Sequence, residues 1–358
     1  KPRLLAVAGT PVGPPIGGYV QAGNAVAGVD SPDIPNVDKR VVNSIDPNNF
    51  APRIGFAYTP FSSGKMVVRG GYGIFYSRTS FQYITLNVIA PPTYVFGARV
   101  GLPTPIPISD PYFAAPVSSA FPTLVPGVAL SGTLFDRNIR TPYLHQYNAN
   151  VQYELFKDWM FEAAYVGTRG LNLFRQVAIN QARLASTQNK ITNDVTGAVI
   201  DTTTAANAAL RAPFQGVSTN GFFQNQSTAQ SSYNSLQGSL TKRFSKGVQF
   251  LAAYTFAKAI DNASGQGGGA GTIGVLNPGA VGETSTILGD QRNNRANRGI
   301  ADFDRTHRFV LSGIWELPSP KNSGFAKAVF GGWQVGGIVT LMSGLPIDII
   351  DNGAGSFY

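Results

Sequence analysis

Residues 146–155 read Gln-Tyr-Asn-Ala-Asn-Val-Gln-Tyr-Glu-Leu. Tyr147, Ala149, Val151, Tyr153 and Leu155 fall on one side of an extended chain, and Gln146, Asn148, Asn150, Gln152 and Glu154 on the other. Successive strand side chains point to opposite faces, so this spacing predicts a β-strand with one apolar and one polar face. The pattern recurs. Ile54, Phe56 and Tyr58 alternate with Arg53, Gly55 and Ala57, and Val68, Tyr72, Ile74 and Tyr76 with Arg69, Gly71 and Gly73. Phe161, Ala163 and Tyr165 alternate with Glu162 and Ala164, and Leu236, Leu240 and Phe244 with Gln237, Thr241 and Arg243. Val248, Phe250, Tyr254 and Phe256 alternate with Gln249, Ala253 and Thr255. Phe309, Leu311 and Trp315 alternate with Arg308, Ser312 and Glu316, and Trp333, Val335, Val339 and Leu341 with Gln334, Gly336 and Thr340. About eight such segments result, most near the ~9–11 residues with which a tilted strand crosses a bilayer.

The connections carry a second rhythm. Short ones are expected at 60–64, 156–158, 245–247 and 318–324, and long ones at 77–138, 171–230 and 261–304. Strict short–long alternation fits an antiparallel transmembrane β-barrel with short periplasmic turns and long extracellular loops. A compact soluble domain has no use for structureless loops of that length. The long segments differ in composition: 91–126 is rich in Pro, 181–230 in Asn, Gln, Thr and Ala, and 264–274 in Gly. All three tryptophans, Trp159, Trp315 and Trp333, lie beside expected short turns, where an aromatic girdle would meet the membrane interface.

Composition agrees. Charged residues make up 13% of the 358, about half the share usual in soluble domains, while Phe (23) and Tyr (14) are plentiful. There is no Cys, which excludes disulfides and thiolate metal sites. No stretch of 18 apolar residues predicts a membrane helix. The net charge of +9 is spread among strand ends and loops without a basic run, so nucleic acid is not an expected partner. It fits a piece of a larger chain whose acidic parts lie elsewhere, or an anion-attracting lumen or loop.

Catalytic chemistry finds little purchase. The two histidines, His145 and His307, have no ligand spacing around them, and no Gly-x-Ser-x-Gly elbow occurs. Gly269, Gly271 and Gly274 match a dinucleotide fingerprint but lack the flanking strand and helix, so they read as loop. No enzyme activity, cofactor or metal is expected. A charged cluster, Asp290, Arg292, Arg295, Arg298, Asp302, Asp304 and Arg305, enters a strand from the last long loop. It reads as ligand capture at an extracellular mouth, as a salt-bridge network that orders the loop, or as contact with lipopolysaccharide. Ligand contacts are expected from the long loops, with Asn225, Gln226, Arg292, Arg295 and Asp302 as candidates. Their chemistry suits a glycan, a peptide or a metal chelate.

The strand segments also resemble a known family. Residues 50–58 (Phe-Ala-Pro-Arg-Ile-Gly-Phe-Ala-Tyr) and 67–76 (Val-Val-Arg-Gly-Gly-Tyr-Gly-Ile-Phe-Tyr) look like the barrel of Oar-like TonB-dependent receptors. So do Tyr233-Asn234-Ser235-Leu236-Gln237, residues 254–261, Asp304-Arg305-Thr306-His307-Arg308-Phe309, and Gly332-Trp333-Gln334 with Ser343-Gly344-Leu345-Pro346. The resemblance covers roughly residues 49–351, loops excepted. It implies an outer-membrane barrel of about 22 strands with a plugged lumen, of which about eight would lie here. It further implies energised uptake through a TonB complex reached by an N-terminal part. Residues 1–358 are thus expected to be part of one barrel domain without the plug or N-terminal domain. The alternative is a small structural or adhesive barrel.

Overall fold

The computed structural model describes residues 46–77, 130–193, 196–214, 217–264, 290–319 and 324–347. Twelve strands are formed among them: β1 (Arg53–Tyr58), β2 (Met66–Tyr76), β3 (Leu130–Phe135), β4 (Tyr143–Phe156), β5 (Trp159–Ala178), β6 (Ile191–Thr192), β7 (Val199–Ile200), β8 (Val217–Ser245), β9 (Val248–Asp261), β10 (Gly299–Ile300), β11 (His307–Glu316) and β12 (Gln334–Met342). One sheet has the order β1-β2-β4-β5-β8-β9-β11-β12, every neighbour antiparallel, with β3 and β10 as short additions. The eight long strands are those the alternation predicts, and among the described residues β1 and β12 stand at the two edges of the sheet.

Register tests the face assignments, because a slip of one residue would turn a strand's apolar side over. Tyr58, Val68, Val151, Ala163, Gly238, Tyr254, Phe309 and Leu341 stand in one row across all eight strands. The adjacent row, on the opposite face, runs Arg69, Asn150, Ala164, Gln237, Thr255, Arg308 and Met342. The faces read from each strand alone therefore coincide across the sheet. The apolar one is open: Phe56, Tyr165, Leu236, Phe256, Trp315 and Val339 are exposed. A face of that kind is stable against lipid and costly against water.

On the polar face Arg69 Nη1 donates to Gln152 Oε1 (2.7 Å) and Gln152 Nε2 to Glu162 Oε2 (2.9 Å), while Asn150 Nδ2 donates to the other Glu162 oxygen. This ladder joins β2, β4 and β5 by side chains. On the apolar face the Tyr147 ring lies over Gly167, where a Cβ would come within 2.0 Å of it. Tyr147 and Tyr165 both donate to Asn234 Oδ1, at 3.2 and 2.7 Å. Asn234 pairs with Lys258, and this polar couple marks the outer edge of the apolar band. Both histidines sit on this face too. His145 Nδ1 lies 2.7 Å from Tyr72 Oη, and His307 Nδ1 2.7 Å from Tyr254 Oη.

The turns alternate as expected, apart from β3, which forms within the connection expected at 77–138 and pairs in parallel with β8, and two further corrections. At one end β4–β5 turn through Lys157 and Asp158 (φ 71°), and β8–β9 through Lys246 and Gly247 (φ 51° and 77°), the left-handed backbone that a two-residue hairpin demands. The connection expected at 318–324 is longer: Phe325–Phe330 form a short helix before β12. Its Phe325 and Phe330, with Trp333, are exposed, and Trp333 Nε1 donates to the Val329 carbonyl (2.7 Å). Aromatic side chains so placed suit a membrane interface. The second correction concerns 171–230. β5 continues to Ala178 and β8 begins at Val217, so both strands run well beyond the apolar band. The expectations for 91–126 and for the Gly-rich stretch from 265 to 274 lie outside the described residues.

Candidate functional site

The long β5 and β8 build a polar structure past the membrane-facing band. Arg175, on β5, is 1% exposed although the strand belongs to a sheet with few buried side chains. Its Nη1 donates to Asn294 Oδ1 and its Nη2 to Gln291 Oε1 (2.9 Å). Gln181 Oε1 accepts from the Gln291 backbone (2.8 Å). Asn294 Nδ2 donates to the Thr228 carbonyl (2.8 Å), and Asn262 Nδ2 to Asn294 Oδ1 (2.7 Å). Asn262 Oδ1 in turn accepts from the Gln230 backbone (2.8 Å). The segment 290–298 is thereby stitched to β5, to β8 and to the residue that follows β9.

Beside it, residues 179–193 and 196–214 fold into a small cap. Ala185, Ile191, Ile200 and Leu210 form its apolar centre, and β6 pairs with β7. Asn180 clasps Phe214 with both amide atoms, donating to its carbonyl (3.0 Å) and accepting from its N–H (2.7 Å). Arg211, wholly buried, donates to the carbonyls of Arg183 and Thr204 (the latter at 3.0 Å) and to Asn207 Oδ1 (2.7 Å). Burial lowers its pKa from the usual arginine value. Amide and guanidinium groups here satisfy buried carbonyls that have lost water, and so tie the segment together beside its small apolar centre. A segment rich in Asn, Gln and Thr thus folds without many hydrophobic residues.

The five candidate residues separate. Asn225, on β8, is 0% exposed, and among the described residues neither its side-chain oxygen nor its nitrogen has a partner. Gln226 is half-buried and donates to Gln224 Oε1 (2.9 Å). Arg292 is exposed, its Nε 3.2 Å from Asp290 Oδ1. Arg295 is exposed too, and the half-buried Asp302 donates its backbone N–H to the Ser264 hydroxyl oxygen (3.1 Å). The structure brings Arg292 and Arg295 together on one turn and sets Asn225 inside the sheet. Sequence reasoning missed Arg175, Gln181, Gln291 and Asn294, which fix that turn.

The charged cluster is not one mutual network. Asp304 accepts from Lys258 Nζ (3.1 Å), the Ala259 N–H (2.6 Å) and the Thr306 hydroxyl (3.0 Å), while Arg305 donates to the Ser343 carbonyl (2.6 Å). Burial pushes the Asp304 carboxyl up, but these hydrogen bonds and the Lys258 charge outweigh it and hold its pKa below the ordinary carboxylate value. A depressed folded pKa stabilises the fold above the unfolded value, near 3.9, and that contribution vanishes as pH falls through the folded value. Asp304→Asn is therefore expected to cost about 1–3 kcal/mol at neutral pH. The gap in thermal stability between wild type and variant should close as pH drops from about 5 toward 2. A gap of constant size over that range would show that the carboxylate charge contributes nothing.

An antiparallel sheet with outward apolar rows, short turns at one end and built polar loops at the other defines a membrane-spanning barrel wall. The chain belongs to the outer membrane beta barrel domain family, whose profile matches residues 8–357. This places the protein in the bacterial outer membrane, in a family that is typically non-enzymatic. Among solved structures it is similar to the outer membrane transporter YddB from Escherichia coli, with 11% identity, a TM-score of 0.39, and coverage of 75% of this chain and 26% of that one. It is also similar to the siderophore receptor PirA from Pseudomonas aeruginosa, with 9% identity, a TM-score of 0.31, and coverage of 75% and 31%. The chain thus spans less than a third of the length of either. No curated protein matches it.

Proposed function

We propose that this chain is part of the barrel of an Oar-like TonB-dependent transporter that binds its ligand at the long-loop end and passes it inward. The observation that carries the binding end is the ordered turn 290–298, held by Arg175, Asn262 and Gln181 beyond the apolar band. Fixing an irregular loop in this way costs conformational entropy, which a mere cover over the barrel has no need to lose. Coupling to a TonB complex is supported by the sequence resemblance and would run through the N-terminal part of the full-length protein. Lipid and lipopolysaccharide would meet the apolar band and its rim, and the ligand would be a glycan, a peptide or a metal chelate. Site-specific photo-crosslinking in energised cells tests the reading without knowledge of the ligand. The full-length protein should crosslink to the periplasmic domain of TonB. A surface-expressed protein that never does so would instead be a structural or adhesive barrel.

A further inference from the structure

The turn 290–298 repeats with a period of three. Its sequence is Asp-Gln-Arg-Asn-Asn-Arg-Ala-Asn-Arg, in which an amide followed by an arginine occurs three times: Gln291-Arg292, Asn294-Arg295 and Asn297-Arg298. The backbone has the matching period. Asn293 N–H donates to the Asp290 carbonyl (3.0 Å), Ala296 N–H to Asn293 (3.0 Å) and Arg298 N–H to Arg295 (3.2 Å). The first two turns share Asn293 and the third starts at Arg295, and Asn297 Nδ2 reaches back to the Asp290 carbonyl (3.2 Å), so the segment curls into a compact loop. Gln291 is buried and Asn294 and Asn297 are half-buried, whereas Arg292, Arg295 and Arg298 are all exposed. The amides face the barrel, where Gln291 and Asn294 take the hydrogen bonds of Arg175, and Asn297 Nδ2 closes the turn on the Asp290 carbonyl (3.2 Å). One row anchors and the other is presented.

We infer that the three arginines form a ridge that binds a linear polyanion, namely an acidic polysaccharide carrying carboxylate or sulfate groups. Among the described residues the side chains of Arg295 and Arg298 have no partner, and Asp290 engages Arg292 only through Nε. The three arginines are thus presented together from one compact loop. A guanidinium fork matches a carboxylate or sulfate with two parallel hydrogen bonds, which a lysine cannot do. The position speaks for a soluble chain over lipid headgroups. The ridge is held by Asn262, past the last residue of β9, and by Arg175, eight positions along β5 from Gly167, which pairs with Asn234 at the edge of the apolar band. Headgroup phosphates belong at that edge. The inference rests on reading the long-loop end as the binding end, but it concerns binding alone, so it stands or falls apart from transport.

The test uses outer-membrane vesicles carrying the full-length protein, with fluorescent polygalacturonate as probe and dextran as the neutral control. Wild type should bind the polyanion and not dextran, with affinity falling steeply as salt rises. The variant carrying Arg292→Gln, Arg295→Gln and Arg298→Gln should lose at least tenfold. If that variant fails to assemble, Arg295→Gln alone decides, with an expected loss of about threefold. No binding by wild type, or equal binding by wild type and variant, overturns the inference. So does a variant that binds polygalacturonate normally but copurifies with less lipopolysaccharide phosphate, since the ridge would then serve lipid headgroups. TonB crosslinking is read on the same vesicle-source cells, so failure of coupling and failure of the ridge are told apart.

Discussion

Arginine at Val151 is expected to stop the protein from assembling in the outer membrane, while arginine at the next residue, Gln152, leaves assembly largely intact. Val151 lies at the middle of the apolar run from Tyr147 to Leu155 and stands between Val68 and Ala163 in the outward row. A guanidinium there would be held near the bilayer midplane, at a cost of about 2–4 kcal/mol. Gln152 points the other way. Its amide bonds Arg69 and Glu162 on the polar face, so an arginine there would lose the Arg69 contact and gain the Glu162 carboxylate beside it. The measurement is the fraction of full-length protein in the heat-modifiable, protease-resistant form on whole cells. The ratio of assembled to unassembled protein should fall by roughly 30-fold or more for Val151→Arg and by less than about threefold for Gln152→Arg, since about 1.4 kcal/mol corresponds to a factor of ten in that ratio. Equal tolerance at the two positions would mean that the face exposed in Val151's row is not against lipid.

That contrast between neighbouring residues is also where the sequence is most legible. Within the membrane band a strand has lipid on one side and the lumen on the other, and the period of two has to appear in the residues themselves. Beyond the band the constraint lapses. The outer half of β5 reads Leu-Asn-Leu-Phe-Arg-Gln-Val over residues 171–177, with Asn172 in left-handed backbone (φ 53°) and a register shift on each side of Leu173. The start of β8 is nearly all polar. Neither stretch alternates, because neither divides lipid from water, so both read as loop although both are strand. The cap formed by 179–193 and 196–214 was obscure for a related reason: its interior is closed by Asn180, Asn193 and Arg211, polar residues of which the asparagines mark loops when seen in sequence. In the candidate site the arginines were legible by charge alone. Their anchor Arg175 was not, since a single arginine in an unalternating stretch carries no signal of the distant segment it holds. The amide–arginine repeat with its period of three is the signal that would have found Gln291 and Asn294.

Replacing Arg175 with Met is expected to free the turn 290–298 from the barrel. Met keeps an unbranched stem of similar volume but ends two atoms short of the guanidinium nitrogens, so the substitution chiefly removes the donors. Arg175 contributes charge-assisted hydrogen bonds to Gln291 and Asn294, and a hydrogen bond to a charged group contributes about 1.5–3 kcal/mol. Asn294 keeps its bond from Asn262, whereas Gln291 Oε1 loses the donor it has in the wild type. A net loss of about 3 kcal/mol in the local opening free energy is the expected balance. The turn supplies its own reporters, because Arg292, Arg295 and Arg298 are tryptic sites on a segment whose backbone is closed by successive i to i+3 bonds. A protease needs an extended chain, so exposure of the side chains alone does not allow cutting. Where opening is fast relative to cleavage, the rate follows the open population, and 3 kcal/mol corresponds to roughly a hundredfold faster cutting at these three arginines. Trypsin digestion of full-length protein in outer-membrane vesicles, followed by mass spectrometry, reads each site separately. Cleavage should accelerate after Arg292, Arg295 and Arg298 far more than after Arg183, which Arg211 holds within the cap. An Arg175→Met protein cut no faster than wild type would show that Gln181, Asn262 and the turn's own bonds suffice to hold the segment, and that the buried guanidinium is not what orders it.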